Sequence, residues 1–214
     1  MQGLLSPDTA HQDHRARANR QLAGRGLWPT TASCKCYFLK PPTVKPYVSQ
    51  QMLLAIYCSY FHSIMSYGII FWGQSANSIR VFRLQKRIIR IMLGCKSRDS
   101  CRKLFISLKI LPLPSQYISC LLLFVVKNKY LFSTNNELHP IGTRQHQNLH
   151  QPSTNLTKYQ SGVYYMGIKL FNSLPAFIKQ EYNNYNKFVP FLKKFLCENS
   201  FYSLEEFYNF TNPR

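Results

Sequence analysis

Carboxylates are scarce in this chain. Eight Asp and Glu stand against 27 Lys and Arg in 214 residues, a formal charge of +19. Polymerase, nuclease and glycosidase chemistry draws on two or more carboxylates close enough to hold metal ions or share protons. The sole adjacent pair here, Glu205-Glu206, reads as the start of a surface helix, and no Tyr-X-Asp-Asp or similar constellation is present. Metal-ligand spacing is missing as well. Cys34-X-Cys36 has no downstream Cys-X-X-Cys or His pair. Cys58/His62 lies in an apolar stretch and reads as a core cysteine beside a satisfied histidine, whereas His146/His150 falls in a polar one. Gly24-Arg25-Gly26 is too short to cradle a phosphate. No catalytic residue, metal or cofactor is expected.

Met1–Arg20 contains Asp8 and Asp13 and no apolar run, so no secretory signal is expected. Seven cysteines, odd in number and irregular in spacing, fit free thiols in a reducing intracellular compartment, cytoplasm or nucleus. In that setting the sequons at Asn155 and Asn209 have no consequence. Charge itself is missing from Pro46 to Ile79. Within that stretch Met52–Trp72 is 21 residues long, enough to span a bilayer, and cations follow it. Ser59, His62, Ser63 and Ser66 would then sit at costly depths, so a buried helix is the preferred reading over a membrane span.

What the chain does have is a cationic centre. Residues 1–47 carry seven basic and two acidic groups, residues 48–110 ten and one, and residues 111–214 ten and five. Placed on a helix, Ile79–Leu93 sorts into two arcs. Val81, Leu84, Ile88 and Ile91 form an apolar stripe widened by Phe82, Ile89 and Met92. Arg80, Arg83, Lys86, Arg87 and Arg90 occupy the opposite arc, and Lys96, Arg98, Arg102 and Lys103 follow. Such a row suits RNA or DNA through the phosphate backbone, since guanidinium groups make bidentate contacts to phosphate. Its rival is the solvated surface of a structural helix.

The rest of the pattern predicts a mainly α protein, a small helical bundle with a disordered N-terminal leader. Residues 1–47 form that basic leader, closed by Lys40–Pro46 as an extended linker. A basic helical region covers 48–131, a polar loop 132–160 and a small, mostly helical C-terminal region 161–214. A first helix runs 49–67 with Ser49 as N-cap, broken by Gly68 and Gly73. The basic helix, capped by Asn77 or Ser78, ends at Gly94, and a short helix from Asp99 or Ser100 to about Lys109 follows it. After Pro112 and Pro114, a helix covers Ser115–Leu131, with Ile118–Val126 buried. Gly162–Phe171 reads as a strand or irregular turn. A short helix starts at Leu174-Pro175, and Lys187–Glu198 is an amphipathic helix with Phe188, Phe191, Leu192 and Phe195 inward.

These segments come in a characteristic order. Ser59–Gly73, Leu84–Met92, Cys101–Phe105, Leu111–Ile118, Thr143-Arg144 and Gly162–Tyr165 resemble the sequence beyond the polymerase domain of jockey-type non-LTR retrotransposon reverse transcriptases. The likeness continues through Asn172-Ser173-Leu174-Pro175 to Phe201-Tyr202-Ser203, covering about residues 50 to 210, while residues 1–47 look foreign to the family. The resemblance implies the thumb-side and C-terminal helical extension of such an enzyme, without the upstream catalytic carboxylates and without the polymerase domain that would be its partner. Such regions help to hold template RNA or target DNA. Two other readings remain: a single-pass membrane protein, and a helical interaction module without activity.

Overall fold

The computed structural model describes residues 49–138 and 148–211. The expected leader, Cys34, Cys36, Arg144 and His146 lie outside these segments. The described part is mainly helical, as the sequence predicts, and contains no strand.

Helix α1 begins at Gln50–Ile56, continues as a π-helical turn over Tyr57–His62 and finishes at Ser63–Ser66. Ser49 is its N-cap, with Oγ accepting from the Met52 amide at 3.3 Å. Gly68 at φ +58 then breaks the helix, and α2 (Ile69–Trp72) follows, its Trp72 indole N–H donating back to Tyr67 O at 3.0 Å. Met52–Trp72 is therefore not one continuous helix. No single helix among the described residues is long and apolar enough to cross a membrane. Tyr57, Phe61, Met65 and Ile69, four residues apart, form the buried side of α1–α2.

Helix α3 (Ser78–Leu93) ends on Gly94 at φ +71, as expected from the sequence. Asn77 holds the N-cap position, although its side chain makes no capping bond. Helix α4 (Arg102–Leu108) leads to the Leu111–Pro114 corner and to α5 (Leu113–Lys127). Pro114 lies inside the first turn of α5 rather than before it, because a first-turn amide has no partner within the helix and proline loses nothing there. Leu113, Tyr117, Ile118, Leu121, Leu122, Val125 and Val126 are all buried. Each such side chain contributes roughly 1.5–3 kcal/mol of transfer free energy, so α5 is the axis on which the other helices pack.

Next come the single turn α6 (Asn135–Leu138), the single turn α7 (Thr157–Gln160) and α8 (Val163–Asn172). The region expected to be a polar loop has local order: Thr134 and Leu149 form an antiparallel bridge. Asn172 clamps Leu149 from both sides, accepting from its amide at 2.9 Å and donating to its carbonyl at 2.8 Å.

Residues expected to form a strand or irregular turn form α8 instead. Met166, Gly167, Leu170 and Phe171 recur at helical spacing and are buried, and the helix they form packs on α5. Gly167 allows a close crossing, since a Cβ built there would sit 2.8 Å from Val125 Cγ2.

Last are α9 (Ala176–Lys179), α10 (Tyr185–Asn199) and α11 (Leu204–Thr211). Phe188, Leu192 and Phe195 of α10 are buried as predicted, joined by Leu196, while Phe191 is exposed. At i+3 from Phe188 it falls on the edge of the apolar arc. The helices α8 and α10 both pack on α5, so the C-terminal segment shares the core of the basic region.

Candidate nucleic-acid interface

The orientation of α3 depends on a polar residue. Its buried arc is Phe82, Gln85, Ile88, Ile89 and Met92, so the stripe is rotated from the predicted one, and Val81, Leu84 and Ile91 are only half-buried on its flank. Gln85 lies at the centre, fully buried, and uses both ends of its amide. Nε2 donates to Tyr57 Oη at 2.9 Å and to Leu111 O at 3.0 Å. Oε1 accepts from the Leu113 amide at 2.9 Å. Burial raises the Tyr57 phenol well above its usual range, partly countered by the Gln85 bond.

Opposite Gln85, the predicted cations separate into two groups. Arg80, Arg83 and Arg87 are exposed, at spacings of three and four residues, over about 10 Å of helix axis. Lys96, Arg98 and Lys103 are also exposed, beyond the C-terminal end of α3. Lys86, Arg90 and Arg102 are half-buried and have structural partners. Lys86 Nζ lies 4.7 Å from the Phe82 ring centre and 5.5 Å from that of Tyr202. Arg90 Nε donates to Asp99 O at 3.0 Å, and Asp99 Oδ2 accepts from the Lys96 amide at 2.8 Å. Arg102 pairs with Glu206 while its guanidinium covers the Tyr202 ring at 4.7 Å. Among the described residues, Arg102–Glu206 is the only ion pair. The outer cations thus face solvent without carboxylate partners there, and their field is not cancelled locally.

The acidic pair behaves as predicted. Glu205 and Glu206 lie in the first turn of α11. Ser203 Oγ accepts from the Glu206 amide at 3.1 Å, and Glu206 Oε2 accepts from the Tyr202 amide at 2.8 Å. Burial pushes the Glu206 carboxyl up, but the Arg102 bond, the Tyr202 amide and the Arg102 charge outweigh it and hold the group below its usual range.

Among the described residues, the cysteines and His62 are placed as follows. Burial raises the Cys101 thiol although Arg90 and Lys86 pull it down, and Sγ lies 3.6 Å from Lys86 O. Cys58 is exposed, contrary to its expected place in the core, because it directly follows the inward-facing Tyr57 and so turns away from the buried side of α1. His62 is only half satisfied: Nε2 meets Ser66 Oγ at 3.3 Å, while Nδ1 is buried without a partner. Its pKa is lowered by burial and by Lys193. No cluster of three or more metal-ligating side chains exists among the described residues.

Two contributors escape a reading of the sequence. Gln85 sits at the helical angle of the apolar arc, and its polarity there is a detectable signal of a buried amide hub. Tyr202, which organises Lys86 and Arg102, lies far away in sequence and gives no local signal. No known protein family, curated protein or solved structure matches the chain.

Proposed function

We propose that the chain is a non-catalytic C-terminal piece of a jockey-type non-LTR retrotransposon reverse transcriptase, and that its activity is binding RNA or DNA through phosphates. The observation that carries this reading is the solvent-facing row of Arg80, Arg83 and Arg87, without carboxylate partners among the described residues and held outward by the buried Gln85. Its supports are the scarcity of carboxylates, the surplus of cations and the order of motifs shared with that family. In this reading the chain acts inside cells where nucleic acid is present, and polymerase activity belongs to the upstream domain.

The test is a salt titration. Binding of oligonucleotides is expected to be sequence-tolerant, with log affinity falling linearly against log salt. Replacing Arg80, Arg83 and Arg87 by Gln keeps helix propensity and lowers the slope by roughly 0.7–0.9 for each phosphate no longer neutralised. An unchanged slope and affinity would reduce the row to a solvated surface.

A second reading has its own observation. Tyr67 and Phe71, beside the Gly68 break, are 85% and 80% exposed. Two neighbouring aromatics this exposed fit a helical interaction module, and the missing polymerase domain is the partner the first reading supplies.

A further inference from the structure

Tyr67 and Phe71 stand beside the glycine break between α1 and α2, and at 85% and 80% exposure their ring faces are open to solvent. The backbone beneath them is ordered. Tyr67 N–H donates to Ile64 O at 3.3 Å, and Tyr67 O accepts the Trp72 indole N–H at 3.0 Å. Phe71 N–H donates to Gly68 O at 3.0 Å. Gly68 also leaves the Phe71 ring uncovered, since a Cβ built there would already stand 3.9 Å from Cδ2. Tight turns then lead to the arginine row. Ser75 N–H donates to Trp72 O at 2.8 Å, Ser78 N–H to Ser75 O at 3.0 Å and Arg80 N–H to Asn77 O at 3.0 Å. Each such turn keeps its end Cα atoms within about 7 Å, which places Arg80 within roughly 20 Å of Trp72.

We propose that Tyr67 and Phe71 stack unpaired bases of a single strand of RNA or DNA whose phosphates continue onto Arg80 and Arg83. This rests on the nucleic-acid reading of α3 and narrows it to strands with unpaired bases. Open aromatic faces on an ordered backbone, followed by fixed cations, are the elements of a sequence-tolerant single-strand site. The distance from rings to row is one that about four nucleotides cover, the lower end of site sizes for such modules. No carboxylate occurs between Asp13 and Asp99 to repel the strand locally. Glu205 of α11 shares a cleft with Ala76 and Ile79 and turns phosphates away from that cleft. A protein partner is the weaker fit, because the exposed neighbours Ser63, Gln74 and Ser75 are polar and break up the apolar area. A paired duplex keeps its bases stacked and gives them up only at the cost of unpairing, so it gains nothing from the rings.

The test uses the full chain and two double variants, titrated by fluorescence anisotropy with a mixed-sequence single strand and its duplex at equal salt. Tyr67→Leu with Phe71→Leu removes both ring faces and keeps apolar side chains at two exposed positions, so the melting curve is expected to match the parent. It is expected to weaken single-strand binding by about tenfold, with duplex binding within about twofold and the salt slope unchanged. Tyr67→Trp with Phe71→Trp restores stacking faces and is expected to bind the single strand at least as tightly as the parent. Single-strand binding at parental strength by the leucine variant overturns the proposal, leaves the arginine row standing and returns the rings to docking a protein. An equal loss for single strand and duplex overturns it too, as does a tryptophan variant that melts like the parent but binds as weakly as the leucine one. If the parent binds neither ligand, the α3 reading fails and this proposal fails with it.

Discussion

Gln85 accepts the Leu113 amide at 2.9 Å, so a side chain from the middle of α3 satisfies the first amide of α5. That amide has no intrahelical partner, and the prolines at 112 and 114 offer no donors beside it. The other end of the same amide group holds Tyr57 and Leu111, so one residue ties α1, α3 and the α4–α5 corner together. The rotation of α3 follows, and with it the direction of the arginine row.

Replacing Gln85 by Leu leaves three buried polar groups without their partner. The expected loss is on the order of 3 kcal/mol, read as a lower urea midpoint at unchanged slope. Tyr57→Phe alone is expected to cost about 1 kcal/mol, and the double variant less than the two together, because they share one bond. Additive losses would show that the hub is not a unit.

The inner and outer cations should separate experimentally. Arg90→Gln removes the bond to Asp99 O and is expected to lower the melting temperature while leaving the salt slope of binding unchanged. Arg83→Gln is expected to do the reverse. Parallel melting and titration of the two proteins checks the division, which collapses if both change the same property.

Glu206 gives a pH signature. Its folded pKa lies below the unfolded value, so the stabilisation is present above the unfolded pKa and is lost as pH falls through the folded one. Both partners are about a third or more exposed, which limits the contribution to less than about 1 kcal/mol. Glu206→Gln is expected to melt lower than the parent near neutrality and to match it well below about pH 4.

Gly167→Ala is expected to destabilise by about 1–3 kcal/mol through the contact with Val125, less the roughly 0.5–1 kcal/mol that alanine adds to a helix. Val125→Ala in the same protein should recover part of that loss, measured by denaturant titration. A Gly167→Ala protein as stable as the parent would mean that the crossing has slack.

The sequence reveals helices best where the pattern is local. Ser49, Gly68 and Gly94 mark ends because capping and positive φ depend on the residue itself. The all-apolar centre of α5 announces burial for the same reason. The α8 segment is obscured because Gly167, a poor helix former, stands in for a side chain that α5 would exclude. The cationic residues are visible in the sequence, but their division into structural and free groups is not. Lys86 and Arg102 are engaged by Tyr202, about a hundred residues away, and only the tertiary fold brings that ring to them.

The π turn over Tyr57–His62 has a consequence for how this chain tolerates change in length. It holds a residue more than an α-helical turn needs, while the helix on either side keeps its phase. Losing one exposed residue there, such as Ser59, would turn it into an ordinary turn and leave Tyr57 opposite Gln85 and Met65 facing inward. Insertions and deletions usually accumulate in surface loops. Here a helix interior can absorb one, so homologous chains that differ by a single residue in this stretch would still align on the same buried contacts.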